Sequence, residues 1–188
     1  MLKRLTRMGV LAAAATLPFF GPTAGAAPGA SPGAAVAVNR APVAAPQAFP
    51  PRPVTIRSNY NGKCLDADLN RINENGAKVQ LWDCNSNAQQ FWIQTADSAI
   101  HVSYNFKCLD ADVDHIFENG DIVRLWDCNG SPQQQWIVAT PPVSGVNIIH
   151  SAYSGLCLDA DLNTIGANGT TIQLWDCNVQ NQQRWHFI

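Results

Sequence analysis

The sequence predicts an all-β fold made of three copies of one unit, and three observations carry that prediction. Cys64-Leu-Asp-Ala-Asp68 recurs as Cys108-Leu-Asp-Ala-Asp112 and as Cys157-Leu-Asp-Ala-Asp161. An Asn-Gly pair follows each (Asn75-Gly76, Asn119-Gly120, Asn168-Gly169), and then Leu81-Trp-Asp-Cys-Asn85, Leu125-Trp-Asp-Cys-Asn129 and Leu174-Trp-Asp-Cys-Asn178. Each copy closes on Gln-x-Trp, at Gln90 and Trp92, Gln134 and Trp136, and Gln183 and Trp185. Self-similarity at a fixed period marks repeat architecture before any other feature is read.

The copies run over 54–97, 98–141 and 142–188. Their first cysteines are 44 and then 49 residues apart (64 to 108 to 157), and the five extra residues fall in the Pro-rich joint around Thr140 to Asn147. Lengthening a surface loop there costs little closure entropy. Within a copy the short runs Val54–Tyr60, Lys63–Asp68, Ala77–Cys84 and Gln90–Thr95 alternate in polarity and are separated by Asn, Gly and Ser. That is strand patterning, and no long helical period competes with it. Four strands per copy give about twelve, in a closed or nearly closed antiparallel structure.

The two cysteines of every copy stand 20 residues apart: Cys64 and Cys84, Cys108 and Cys128, Cys157 and Cys177. The economical pairing is one bridge inside each copy, each contributing about 3 kcal/mol by constraining the unfolded chain. Zinc ligation is the rival, and it lacks the close Cys pair or Cys/His cluster that such sites use.

Outside the repeats the chain has a different character. Lys3, Arg4 and Arg7 precede an apolar run from Met8 to Phe20 and then Ala24-Gly25-Ala26. This is the layout of a secretory signal peptide over 1–26, and the run is too short for the roughly 20 apolar residues of a membrane span. Residues 27–53 are mostly Ala, Pro and Gly and read as a disordered tether. A secreted, extracellular protein is expected, in a compartment where disulfides persist. From Val54 onward, seven basic residues face all 14 acidic ones. That balance argues against nucleic acid, which favours a basic face, and against anionic membrane surfaces.

Strand alternation places the candidate site. In the first copy Val79 and Leu81 point to one side, and Gln80 and Trp82 to the other. On the preceding strand Cys64, Asp66 and Asp68 share a face, opposite Leu65 and Ala67. A Cys64–Cys84 bridge holds the Asp66 face beside the Gln80 and Trp82 face, close to Gln89 and Gln90. An indole face packs against the C–H face of a pyranose. A carboxylate accepts from neighbouring hydroxyls in charge-assisted bonds, and amides both donate and accept. Trp82, Trp126 and Trp175 are read as sugar platforms, and Trp92, Trp136 and Trp185 as core.

The thrice-repeated Gln-x-Trp, the Cys-Leu-Asp start and the Leu-Trp-x-Cys segment resemble the ricin B-type lectin family, carbohydrate-binding modules attached to many secreted bacterial glycoside hydrolases. The resemblance covers Val54 to Ile188. It implies a β-trefoil with pseudo-threefold symmetry and one shallow pocket per copy. Carried over, the site residues are Asp66, Gln80, Trp82, Gln89 and Gln90 in the first copy and Asp159, Gln173, Trp175, Gln182 and Gln183 in the third. In the second they are Asp110, Trp126, Gln133 and Gln134, with Arg124 standing where Gln80 and Gln173 stand. That copy is the candidate for an altered or silent site. A further departure is Gln89, Gln133 and Gln182, where the family commonly has Asn. The ligand class implied is a galactose-type or xylan-type glycan, bound by a monomer through several weak pockets.

Three other readings compete with this one. A trefoil that binds protein, as an inhibitor or adhesion module, would use the same tryptophans for contact. Alternate oxygen ligands such as Asp66-x-Asp68-x-Asn70, Asp110-x-Asp112-x-Asp114 and Asp159-x-Asp161-x-Asn163 open calcium loops. Here the sixth position holds Arg71, His115 and Thr164 instead of Gly, and the twelfth holds Ala77, Asp121 and Thr170 instead of Glu. A surface loop hydrogen-bonded to itself is the preferred reading, with no metal or cofactor required. An enzyme is least favoured: acids in triplicate do not define a catalytic centre, and His101, His115, His150 and His186 are read as inequivalent, with no nucleophile beside them.

Overall fold

The computed structural model describes Pro50, residues 52–140 and residues 145–188. The expected signal peptide and nearly all of the expected tether lie outside the described residues. Among the described residues twelve strands form, four per copy. The first copy has β1 (Val54–Ser58), β2 (Cys64–Ala67), β3 (Ala77–Trp82) and β4 (Phe91–Gln94). The second has β5 (Ile100–Val102), β6 (Cys108–Ala111), β7 (Asp121–Trp126) and β8 (Trp136–Ala139). The third has β9 (Ile148–Ser151), β10 (Cys157–Ala160), β11 (Thr170–Trp175) and β12 (Trp185–Phe187).

Two closed circuits organise these strands. β1 pairs with β12 and β4, β4 with β5, and β8 with β9. Antiparallel bridges Ala99↔Gln135 and Asn147↔Trp185 complete the ring β1-β4-β5-β8-β9-β12. The hairpins β2–β3, β6–β7 and β10–β11 meet through β3–β7, β7–β11 and β11–β3 pairings. This is the β-trefoil, and its closure leaves few strand edges unpaired.

The expected cysteine pairing is the one that forms. Cys64–Cys84 and Cys157–Cys177 have Cα separations of 5.1 Å, and Cys108–Cys128 has 5.2 Å. In each copy the first cysteine opens the β2-type strand and is fully buried, while Cys84, Cys128 and Cys177 lie two residues beyond the β3-type strand and are exposed. Each bridge therefore ties the start of one hairpin arm to the end of the other.

Equivalent positions fill the core. Leu65, Leu109 and Leu158 are wholly buried, as are Leu81, Leu125 and Leu174, and Trp92, Trp136 and Trp185. Each buried indole N–H donates to the carbonyl of its own copy's β2-type leucine: Trp92 to Leu65 at 3.0 Å, Trp136 to Leu109 at 3.0 Å, Trp185 to Leu158 at 3.2 Å. A buried tryptophan thereby keeps no unpaired donor.

Two expectations change. Gln90 does not begin a strand but ends a short 3-10 helix (Ala88–Gln90), as Gln134 and Gln183 do in Pro132–Gln134 and Asn181–Gln183. The turn lets the glutamine side chain reach backward to backbone near the bridge, which an extended segment would not. His101 and His150 are also equivalent after all, since they and Arg57 stand opposite Cys108, Cys157 and Cys64. Only His115, in a loop, and His186, on β12, lack such a counterpart.

The copies are joined by the Asn-Gly turns. Asn75 accepts from the Asp127 backbone N–H (2.8 Å) and donates to the Asp127 carboxylate (3.0 Å), so the contact reaches the next copy. Asn119 holds Asp176 (2.7 and 2.8 Å) and Asn168 holds Asp83 (both 2.9 Å) in the same way. The following glycines have φ of +84°, +94° and +91°, a conformation that disfavours any side chain. Lys63 and Lys107 reinforce two of these clasps by bonding Asp83 and Asp127, whose carboxyls they hold below the usual range. The third copy has Leu156 at that place.

One buried group breaks the symmetry. Ala77, Asp121 and Thr170 are equivalent, at the contact between hairpins. Thr170 satisfies its hydroxyl on Thr164 and Ala167 carbonyls, whereas the Asp121 Oδ2 is buried without a partner. Burial first, and the charge of Asp112 second, push the Asp121 carboxyl up to about 6.

Two stability measurements follow. Asn119→Ala, which removes both bonds to Asp176 where no lysine assists, is expected to lower unfolding free energy by roughly 1–2 kcal/mol in denaturant titration. The equivalent Asn168→Ala also removes a bond from Lys63, which keeps its bond to Asp83, so a cost of the same size is expected. Asp121 binds its proton more readily folded than unfolded, so its stabilising share is complete below about pH 4 and is lost as pH rises towards 6. Asp121→Thr is therefore expected to be more stable than the parent at pH 7 by roughly 1–3 kcal/mol. That gap should close as the pH is lowered through this window.

Candidate functional site

The site is built on the β2–β3 hairpin and its equivalents. Register pairs Asp66 with Gln80 and Cys64 with Trp82, so the side chains named by alternation do share one face. The Asp66 carboxylate, 4% exposed, accepts from Gln80 Nε2 on Oδ1 (3.1 Å) and from Gln90 Nε2 on Oδ2 (2.8 Å). Gln90 also donates to the Asp83 carbonyl (3.0 Å) and accepts from the Asn85 N–H (2.8 Å), which uses its amide fully. Gln90 is completely buried. It stands behind Asp66 and fixes the carboxylate's orientation.

In front of Asp66 lies a cavity of about 260 Å³ walled by Gln80, Trp82, Gln89, Asn85, Asp68, Leu69 and Asn70. Trp82 is 40% exposed and presents its ring to solvent at the rim. Gln89 bonds Asn85 at a long 3.4 Å. Burial raises the Asp66 carboxyl above its usual value, and the glutamine donors partly offset that rise. The chamber thus combines two carboxylates, four amides and an indole face.

The third copy repeats this. Asp159 accepts from Gln173 at 3.1 Å and from Gln183 at 3.0 Å, and Gln183 bonds the Asp176 carbonyl and the Asn178 N–H. A cavity of about 170 Å³ is walled by Asp159, Gln173, Trp175, Asn178 and Gln182 among others. Burial raises the Asp159 carboxyl as well. Gln183, like Gln90, is wholly buried.

In the second copy Gln134 holds Asp110 (2.9 Å), the Asp127 carbonyl and the Asn129 N–H as its counterparts do. Arg124 changes the front of the site. Its guanidinium lies 4.5 Å from the centroid of Trp126, donates to Asp112 at 2.6 Å and approaches Asp110 at 3.5 Å. The cation covers the ring and engages both carboxylates, and Gln133 is left half-buried at the edge.

Alternation missed Asn85 and Asn178, which wall the two cavities. Their signal was present, because the residue after the second cysteine is Asn in all three copies. The Asp-x-Asn loops hydrogen-bond themselves: Asp68 accepts from the Asn70 N–H and amide, and Asp161 from those of Asn163. Among the described residues, His101, Cys108 and Cys128 place metal-type donor atoms within 4.8 Å of one another. Both of those sulfurs are committed to a disulfide.

A family model described as the ricin-type beta-trefoil lectin domain matches residues 52–185. The chain belongs to that family. No curated protein matches its sequence. Among solved structures, a designed threefold-symmetric protein, ThreeFoil, superposes with a TM-score of 0.65 at 20% identity over 72% of this chain and 97% of its own. The C-half of an earthworm R-type lectin, solved in complex with GalNAc, gives 0.56 at 23% identity over 73% and 98%. An exo-beta-1,3-galactanase from Clostridium thermocellum gives 0.64 at 24% identity, and the match covers 72% of this chain but only 30% of that enzyme.

Within this lectin domain the second copy keeps the Asp–Gln framework and loses an open front. Arg124→Gln, which restores the residue of the other copies, is expected to uncover Trp126 and Asp110. Tryptophan fluorescence should then shift as the Trp126 ring loses its covering cation, with stability altered by less than about 1 kcal/mol, since a glutamine there can donate to Asp110 as Gln80 and Gln173 do to their own aspartates.

Proposed function

We propose that this chain is an exported, monomeric and non-enzymatic lectin that binds galactose-type or xylan-type glycans through its first and third copies. The observation that carries the reading is the duplicate construction around Asp66 and Asp159. In each, a buried carboxylate is oriented from behind by a fully bonded glutamine and faces a cavity with an exposed tryptophan at its rim. A neutral sugar presents hydroxyls for the carboxylate and amides and a C–H face for the indole. Family membership supports the same conclusion, and the signal-peptide layout expected from the sequence of residues 1–26 supports export.

The cavities are small, at about 260 and 170 Å³, so each gains only a modest surplus over the costs of ordering a ligand. Two such cavities on one rigid domain compensate through multivalency when the ligand is a polymer. Asp66 and Asp159 each accept from two glutamines, which suits an acceptor held in place.

Calorimetry of the full chain against galactose, xylose, galactan and xylan tests this. Either sugar class should bind far more tightly as polymer than as monosaccharide. Asp66→Ala with Asp159→Ala should abolish binding, while either change alone weakens the sugar at its own site by roughly 10- to 100-fold. Binding should also fade as pH falls through the raised carboxyl range, earlier than for an ordinary aspartate, because protonation removes the charged acceptor. Absence of any glycan binding, with Trp82 and Trp175 instead required for capture of a protein, would turn the reading to a protein-binding trefoil.

A further inference from the structure

The third copy differs from the first on the side of its cavity that faces the beginning of the chain's first copy. The cavity in front of Asp159 shares Leu162, Gln180 and Gln182 with a wider depression of about 580 Å³, which continues to Val179, Arg184 and Tyr60. Its base is held rigid from both sides. Asn59 donates to Asn181 at 2.9 Å, bonds His186 at 2.7 Å, and its backbone N–H meets the Arg184 carbonyl at 2.9 Å.

Val179 has φ of +51°, in the left-handed region where a β-branched residue is strongly disfavoured. The equivalent residues are Ser86 (φ 60°) and Gly130 (φ +71°), so the backbone turn is common to all three copies and glycine serves it without strain. Val179 is half exposed and fills no core. A strained apolar side chain held at the rim of a cavity is a feature of ligand contacts. Tyr60 and Leu162, also half exposed, continue the apolar lip.

Arg184 supplies the charge. The equivalent residues are Phe91 and Gln135, and among the described residues its guanidinium has no ion-pair partner. It lines this depression in a domain whose acidic residues outnumber its basic ones two to one. A side chain lone in its sign and facing an open groove matches an anionic ligand group.

We propose that the third copy carries a two-unit cleft: one sugar sits at Asp159 and Trp175, and the next unit of the chain, an acidic sugar, lies over Val179, Leu162 and Tyr60 with its carboxylate on Arg184. This rests on the glycan-binding reading above, and it makes the third copy a selector for uronic acid-bearing glycans while the first remains indifferent to them.

The test uses the full chain carrying Asp66→Ala, so that the third copy reports alone. Xylose, xylobiose and glucuronosyl-xylose are titrated in parallel with galactose, galactobiose and glucuronosyl-galactose. The acid-bearing ligand of whichever series binds is expected to be favoured over its neutral counterpart by roughly five- to tenfold, and this preference should shrink as salt is raised. Arg184→Gln should erase the preference and leave the neutral ligands unchanged. Val179→Gly should weaken both multi-unit ligands about threefold, leave the monosaccharide unchanged, and keep or raise the melting temperature, since it relieves the strained φ. Equal affinity for acidic and neutral ligands, or a preference that survives Arg184→Gln, overturns the proposal while leaving the sugar site intact. Failure of every ligand, monosaccharides included, overturns the glycan-binding reading and this inference with it.

Discussion

A single tripeptide in each copy anchors both the core and the cavity. Gln90 bonds the Asp66 carboxylate while Trp92, two residues on, donates its indole N–H to the Leu65 carbonyl. Leu65 and Asp66 are neighbours on one strand and point to opposite faces. The two ends of Gln-x-Trp therefore grip the same strand from both sides, one through the core and one behind the site. Gln134 with Trp136 and Gln183 with Trp185 do the same. The motif belongs to fold and site at once, since the amide that orients the carboxylate also satisfies backbone groups beside the disulfide. Loss of either end would loosen the strand on which the other depends.

Much of this was legible in the sequence because repetition supplies its own controls. Cysteines spaced identically three times left one economical pairing, and alternation along Lys78–Trp82 separated Leu81 from Gln80 and Trp82 correctly. Repetition also conceals. A contact from one copy to the next looks the same, in a threefold sequence, as a contact within a copy, so the reach of Asn75 to Asp127 could not be read from the motif. Alternation likewise says which face a residue takes and nothing about what covers that face. Cys64 to Ala67 are buried on both faces, because Gln90 turns back over Asp66 from a 3-10 helix that no periodicity announces. Gln90, read from the sequence as a site residue, is completely buried behind the Asp66 carboxylate.

Where the copies depart from one another is where the physics becomes particular. Arg124 closes the front of the second site with a cation over Trp126. Leu156 replaces the lysine that braces the other two clasps. Asp121 places an unpartnered carboxylate oxygen where Ala77 is apolar and Thr170 is bonded. The threefold frame tolerates each change because closure of the strand ring and of the hairpin triangle does not depend on any one of these side chains. A symmetric scaffold of this kind lets individual copies specialise without renegotiating the core, in keeping with function residing in sites grafted on a fold.

The electrostatics of the retained sites follow from this division. Burial first drives Asp66 and Asp159 towards the neutral form, and three glutamine side chains around each draw them back. Gln90 and Gln183 are fully buried and the other glutamines line the cavities, so each carboxylate is held from behind while its front faces the cavity. Gln90 and Gln183 thus act on the carboxylate from behind the cavity, while Gln80 and Gln173 act on it from the cavity wall. Changing Gln90 or Gln183 would alter the carboxylate's orientation and basicity, whereas changing Trp82 or Trp175 would alter only the surface offered to the ring. The layers are separable in chemistry though they are joined in one hairpin, and that is how a shallow cavity on a small β domain can present a well-oriented anion to a neutral ligand.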